Sequence, residues 1–381
     1  MAPPVEIHGH VLPRYARVKD AFADQMRSGI EIGASVAAMV DGELVVDLFA
    51  GHADPARTRP WQRDTIVHTY SVTKGMTALC AHLLLERGQL ELDAPVAKYW
   101  PEFAQAGKGE ISMRLLLSHR AGLQALRERM APESLYDWTA MCAALAAAAP
   151  CIEPGRVGYH PMTFGWLVGE LVRRVDGRSL GRFFREEVAT PLGVDFHIGL
   201  GPAEEKRAAD ITQLAPPPDV EKVFSGDRDG EPALLMLAFV NPSGTGDHNS
   251  PAHRRAEIPA INGHGNGAAL ARVYGMLSRG GEPLLSRAGV ERMRELQAEG
   301  IDALMGVPIR MGLGYWLTQT DVPDFAFGPN RGSFGHPGAG GGVGFADPEA
   351  RIGFGFTTNR MGHSISIDAR PQALIEALYA V

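Results

Sequence analysis

The sequence predicts a mixed α/β chain in which one sheet is assembled from both ends and a mainly helical lobe is inserted between them. Strand-like runs occur near the N-terminus and again in the C-terminal third. The stretch between them is dominated by helical apolar periodicity. At 381 residues and 45% apolar composition, the chain is long enough for two lobes around a large core. The expected division places residues 1–88 and 260–381 in a discontinuous α/β part. Residues 89–259 form the helical part, with an irregular pocket-wall segment at 201–259.

Each element has its own signal. The opening MAPPVEIHGHVLPRYARVKDAF has no basic start, long apolar run or small-residue cleavage site, so a cytoplasmic chain is expected, with His8 and His10 in a mobile arm. Arg14 to Arg27 is a short amphipathic segment. In ASVAAMVDGELVVDLFAG, Ala34 to Gly51, two partly β-branched runs meet at Asp41-Gly42, a strong hairpin signal. Thr65 to Arg87 has helical character, with Met76, Leu79, Cys80, Leu83 and Leu84 on one stripe before Gly88. Four helical patterns follow: SMRLLLSH, LYDWTAMCAALAAAA, TFGWLVGELVRRV and SLGRFFREEVATPLG. Between Gly201 and Gly267, turns and charges dominate, notably Ala215–Asp219 and Asn241–Asp247, as in a lid or pocket wall. The strand-like runs LGYWLTQ, GGVGFAD and RIGFGFTTN come next, and a helix over Pro371 to Tyr379 closes the chain.

Several function classes are disfavoured. A net charge of -7 without long runs argues against a nucleic-acid or anionic-membrane partner. No apolar run is long enough to span a bilayer. Cys80, Cys142 and Cys151 match no metal or redox spacing and read as free thiols. The histidines form no metal-binding motif, so neither metal nor cofactor is expected.

The stretch Ser71-Val72-Thr73-Lys74 carries the chemistry. A serine hydroxyl needs a proton acceptor, and positions i and i+3 share one helix face. Bringing a lysine to neutrality near pH 7 requires roughly 4 to 5 kcal/mol of destabilisation of its ammonium form, which burial and a helix N-terminus both favour. With fifteen serines and six lysines, chance alone gives roughly 0.24 such pairs per chain, so the spacing is weak by itself. Two further stretches add to it. GRVGYHPMTFGWLVGELVRRV puts Tyr159 in a turn before an amphipathic helix, a position suited to packing or to a cleft. GSFGHPGAGGGVGFAD, Gly332 to Asp347, holds seven glycines, as does a strand edge that meets a ligand or a plain glycine-rich turn. No Gly-x-Ser-x-Gly occurs, so the nucleophile elbow of α/β-hydrolases is not the explanation.

Taken in order, Ser71-Val72-Thr73-Lys74, Tyr159-His160-Pro161 and His336-Pro337-Gly338 resemble the serine β-lactamase and penicillin-binding-protein superfamily, most closely its family VIII carboxylesterases. LLLSHRAGL, TPLG and INGHGNGAALARVYG agree, and the resemblance runs from about Ser35 to Asn359. It implies a β-lactamase-like fold, an antiparallel sheet flanked by helices plus a helical lobe, with the site in the cleft between them. It implies Ser71 as acyl-accepting nucleophile and proton handling shared by Lys74 and Tyr159, with either neutral lysine or tyrosinate as base. The backbone N–H groups of Ser71 and Ala339 would form the oxyanion hole, and His336 and Gly338 would face the substrate. Class C β-lactamases carry asparagine where this chain has Pro161, and Lys-Thr-Gly where it has His336-Pro337-Gly338. The missing cation and hydroxyl would hold an antibiotic's carboxylate, so neutral esters fit better.

The expected activity is therefore a serine carboxylesterase for small or short-chain acyl esters. Leu234, Met236, Phe239 and Trp316 would form an apolar wall, or else be core. Alternatives are an acyltransferase, a weak cephalosporin-hydrolysing or D-amino-peptidase activity, and, from another class, a non-catalytic relative that binds an acyl-like ligand. The expected partner is a small ester, and the sequence leaves the oligomeric state open.

Overall fold

A computed structural model describes residues 5–212, 233–244 and 246–381; the turn run predicted at Ala215–Asp219 lies outside them. Strands β2 (Gly33–Val40) and β3 (Glu43–Gly51) form the expected hairpin. Asp41 and Gly42 both have positive φ, 52° and 89°, as a two-residue turn matched to strand twist requires. Nine strands make one antiparallel sheet. From one edge it runs β1 (Ile7–Val11), β3, β2, β12 (Ile352–Thr358), β11 (Val343–Asp347), β10 (Phe334–Pro337), β9 (Trp316–Leu317), β8 (Pro308–Met311) and β7 (Ala298–Ile301). The first and last thirds of the chain thus share one sheet, as expected.

The N-terminal arm is not mobile. It is edge strand β1, in register with β3 from Ile7 opposite Ala50 to Val11 opposite Val46. His8 stacks on Phe49, and His10 Nε2 lies 2.9 Å from Leu44 O. The exposed backbone of β3 supplies the reason, since an unpaired edge is a template for any extended segment nearby.

Alternation along β12 builds the layers. Phe354 and Phe356 join a core with Phe22 and Met26 of α1 (Ala16–Ser28) and with Leu374 and Leu378 of a C-terminal helix, Ala369–Tyr379. Gly353 and Gly355 face the other way, where a Cβ would lie 2.0 Å from Gly275 N and 2.3 Å from Gly267 O of the helix Gly267–Ser278. That face also carries α2 (Val72–Glu86), with Ser71 at its N-cap, at the helix start where the sequence puts it; before it, Val67–His68 is a short strand, β4, rather than helical. Every residue of α2 from Val72 to Leu84 is buried, so the one-sided stripe read from the sequence is too narrow. The helix lies between the sheet and the helical lobe and has no solvent face to mark with charges.

The helical lobe holds α3 (Met113–Leu117), α4 (Trp138–Ala147), α5 (Thr163–Asp176) and α6 (Leu180–Phe184), all at predicted positions. A small sheet in the order β4, β6 (Gly263–Gly265), β5 (Phe196–Ile198) is not visible in the sequence, because two or three residues give no readable alternation. Among the described residues, no helix is long and apolar enough to cross a membrane. Cys80 and Cys142 are buried and Cys151 half-buried, all as free thiols.

Candidate active site

Strand β4 delivers the chain into the site. Thr69 is held by its N–H and its hydroxyl on Gly263 O, at 2.8 and 3.0 Å. Tyr70 then takes φ 48°, a conformation uncommon for a residue with a side chain and one that persists where its surroundings fix it. Ser71, half-exposed, follows at the N-cap of α2, but its hydroxyl caps nothing. Instead, Lys74 Nζ lies 3.1 Å from Ser71 Oγ. The other neighbours of Nζ are two carbonyls from the helical side, Pro161 O at 2.7 Å and Ala260 O at 3.0 Å. Lys74 is fully buried, and this burial pushes its amine well below the usual lysine range. A neutral amine gives its two N–H groups to the two carbonyls and keeps its lone pair for the Ser71 hydroxyl.

The Tyr159 ring sits 4.9 Å from Lys74 Nζ. Its backbone N–H donates to the buried Asp302 Oδ2 at 2.7 Å, while Asp302 Oδ1 accepts from Leu304 and Met305. Burial raises the Tyr159 phenol above its ordinary pKa, and the Ser71 side chain only partly offsets this. The phenol is therefore protonated at neutral pH. His336 Nδ1 lies 2.7 Å from Pro337 O and so carries the proton it donates there, leaving Nε2 3.5 Å from the Tyr159 hydroxyl. Burial holds His336 well below the usual imidazole pKa. His160 is a structural link. Its Nδ1–H donates to Gly158 O and its Nε2 accepts Leu123 N–H, and burial lowers its pKa to about 3.

The glycine-rich stretch supplies the opposite wall. Gly338 must be glycine, because a Cβ there would sit 2.3 Å from Thr69 O. Its N–H closes a turn on Gly342 O at 2.7 Å, with Gly340 and Gly341 at φ 86° and 115°. Ala339 thereby stands beside the Thr69–Tyr70 segment, lining a small cavity with both. Among the described residues, neither the Ser71 N–H nor the Ala339 N–H has an acceptor in the protein.

Trp316 is buried beside this group, edge-on to Tyr159 at 5.7 Å and stacked on Phe325 at 5.1 Å. Phe239, on α7 (Leu234–Val240), is half-buried and packs on a small cluster of Ala125, Leu237 and Ala238, a cluster that holds neither Ser71 nor Lys74. Met236 is exposed. Two residues of the site were missed by sequence reasoning. Asp302 left no trace, being one acidic residue in a turn. His119 lies within LLLSHRAGL; its Nδ1 accepts the His160 N–H at 3.0 Å and its ring is 4.8 Å from Tyr159.

A serine and a buried lysine at a helix start, opposed by a tyrosine turn and a glycine-rich strand on an antiparallel sheet, are the arrangement of a β-lactamase-like fold. The sequence matches the family described as Beta-lactamase over residues 18–377, and the chain belongs to that family. It is 35% identical over 374 residues to the esterase/β-lactamase LipL of Mycobacterium tuberculosis strain H37Rv, covering 93% of this chain and 83% of LipL. Among solved structures, a family VIII carboxylesterase is 41% identical with a TM-score of 0.90, covering 98% of this chain and 99% of the other. A penicillin-binding-protein homologue from Caulobacter crescentus is 39% identical, with the same TM-score and the same two coverages.

Proposed function

We propose that this chain is a serine carboxylesterase that hydrolyses small or short-chain acyl esters through an acyl-Ser71 intermediate. The family and the esterase-named relatives support ester hydrolysis. The assignment of roles rests on one observation, a buried Lys74 whose hydrogen-bond partners among the described residues are two carbonyls and the Ser71 hydroxyl.

Ser71 Oγ attacks the ester carbonyl carbon as its proton passes to Lys74 Nζ, and the carbonyl π pair moves to oxygen, between the N–H groups of Ser71 and Ala339. When the tetrahedral intermediate collapses, the C–O bond to the alcohol breaks. The leaving oxygen takes a proton from the Tyr159 hydroxyl, which Lys74 replenishes. Water repeats the sequence on the acyl-enzyme and releases the acid. His336 cannot supply the cation that a carboxylate-bearing antibiotic needs, which favours neutral esters. The buried Trp316, edge-on to Tyr159 at 5.7 Å, supplies an apolar surface beside the site that suits a short acyl chain.

The test is kcat/KM of the purified protein on a chromogenic butyrate ester, with Ser71→Ala as control. A loss of about 10³-fold or more is expected. Undiminished hydrolysis by the variant overturns the reading.

A further inference from the structure

Three imidazoles from distant parts of the chain meet beside the strand that leads into Ser71. His68 lies on β4, His248 in the loop after Gly246, and His253 on α8 (Pro251–Arg255). One ring nitrogen of each lies within 4.8 Å of those of the other two. His68 Nε2 and His253 Nε2 are 3.1 Å apart. Two imidazoles on a tetrahedral ion with bonds of 2.0 to 2.1 Å have nitrogens about 3.3 Å apart, so one edge of a coordination tetrahedron is already in place. We propose that His68, His248 and His253 form a binding site for a divalent transition metal of the zinc class, with water as the fourth ligand.

Metal binding through His68 Nε2 moves the His68 proton to Nδ1 and gives up a long contact, 3.4 Å, from the Tyr70 N–H. The remaining surroundings fit. The Tyr70 hydroxyl donates to Met361 Sδ at 2.9 Å, so its oxygen is available to accept from His248 Nδ1, 2.8 Å away. That bond puts the His248 proton on Nδ1 and leaves the Nε2 lone pair for a metal, the outer-shell arrangement that orients imidazole ligands. His68 and His253 are buried, whereas His248 is half-buried and gives an entry path. Arg254 is paired with Asp210 at 2.8 Å, a carboxylate that also takes Arg59 at 2.6 Å, so its charge is only partly offset and favours neutral, ligand-competent imidazoles over protonated ones. A hydrogen bond between His68 and His253 would by itself explain two of the rings. It does not explain why His248 stacks on His253 with centroids 4.6 Å apart. Closing the site requires His248 to move by up to about 1.5 Å, from the 4.8 Å spread to that tetrahedral edge. Occupancy would tie the 246–255 segment to β4, and so to the strand that delivers the nucleophile.

Tag-free protein is stripped with a chelator and titrated with Zn²⁺ by equilibrium dialysis and with Co²⁺ by visible absorption. One equivalent bound, with the intense visible bands of tetrahedral Co²⁺ and a rise in Tm on adding Zn²⁺, is expected. His248→Ala, on the half-buried loop where misfolding is not at issue, is expected to weaken binding at least 10-fold and to abolish the Co²⁺ bands. His8→Ala/His10→Ala controls for the other histidine pair. No stoichiometric binding by the wild type, unchanged binding by His248→Ala, or loss of binding only in the His8/His10 variant overturns the proposal.

Discussion

Replacing Gly338 by alanine tests whether the glycine-rich turn acts through the oxyanion donors. The added Cβ would lie 2.3 Å from Thr69 O, whereas close carbon–oxygen contacts in proteins run at about 3.3 Å, so about 1 Å must be found. Neither side yields easily. Thr69 is pinned twice on Gly263 O, and Gly338 N–H is fixed on Gly342 O. Since Thr69 precedes Ser71 by two residues and Gly338 precedes Ala339 by one, the displacement separates the two N–H groups that face the oxyanion. A 1 Å misplacement costs about 10²-fold, and loss of one oxyanion donor about 10²- to 10³-fold. Gly338→Ala is expected to lower kcat by about 10²-fold, with KM little changed and a stability cost of about 1 to 3 kcal/mol. Gly342→Ala is the internal control, because its Cβ would meet Thr69 O at 3.7 Å, an ordinary contact, and it should stay within about threefold of wild type. The assay is ester hydrolysis with urea unfolding of both variants. Wild-type kcat in Gly338→Ala, or equal losses in both variants, would refute the reasoning.

Other expectations follow from the same geometry. Burial lowers the Lys74 pKa and raises that of Tyr159, so kcat/KM should rise with pH through the lowered lysine pKa and then stay level until alkaline conditions; a rate that falls as pH rises through neutrality contradicts the roles assigned. Lys74→Arg keeps a long cation but no accessible neutral form, and should cost about 10³-fold or more in kcat in the butyrate assay. Asp302→Asn presents an N–H to donors that need acceptors, so unfolding free energy should drop by about 1 to 3 kcal/mol and kcat should fall more than KM rises. Burial outweighs the attraction of Arg370 and raises Glu31 to about 7. Its stabilising contribution is complete below the unfolded-state pKa of 4.5 and is lost as pH rises through about 7. Glu31→Gln should therefore remove about 3 kcal/mol of pH dependence, measured as the difference between variant and wild-type denaturant unfolding at pH 5 and pH 8.

What was legible in the sequence follows from how local each signal is. The Asp41-Gly42 turn was readable because two adjacent residues determine it, and the pairing of Ser71 with Lys74 because one helical turn brings them together. The three motifs, each local, located Tyr159 and Gly338 as well. Asp302 was not legible, since its role depends on the Tyr159 backbone arriving from 143 residues away. Strand β1 was missed because its pattern is interrupted by Gly9, which a Cβ 1.9 Å from Asp47 O would not allow to be anything larger. The start of α2 at Ser71 was legible, but Thr65 to Tyr70 reads as helical because it carries no breaker; tertiary pairing of β4 with β6, rather than local preference, makes Val67–His68 extended.

The departure at Pro161 also has a consequence for how the base works. Asparagine at that position would offer a side-chain amide able to present either its oxygen or its nitrogen. This chain offers only main-chain carbonyls, Pro161 O and Ala260 O, which accept and cannot turn round to donate. Protonated Lys74 has three N–H donors and finds three acceptors in those carbonyls and Ser71 Oγ. Neutral Lys74 has two N–H donors for the same carbonyls and one lone pair for the Ser71 O–H. The same three partners satisfy both forms, so the proton crosses the 3.1 Å to Nζ with no neighbour rotating. Burial lowers the Lys74 pKa and so favours the form that can accept. Among the described residues Lys74 has no carboxylate partner, elsewhere a defect for a buried lysine but a requirement of the base role proposed for it.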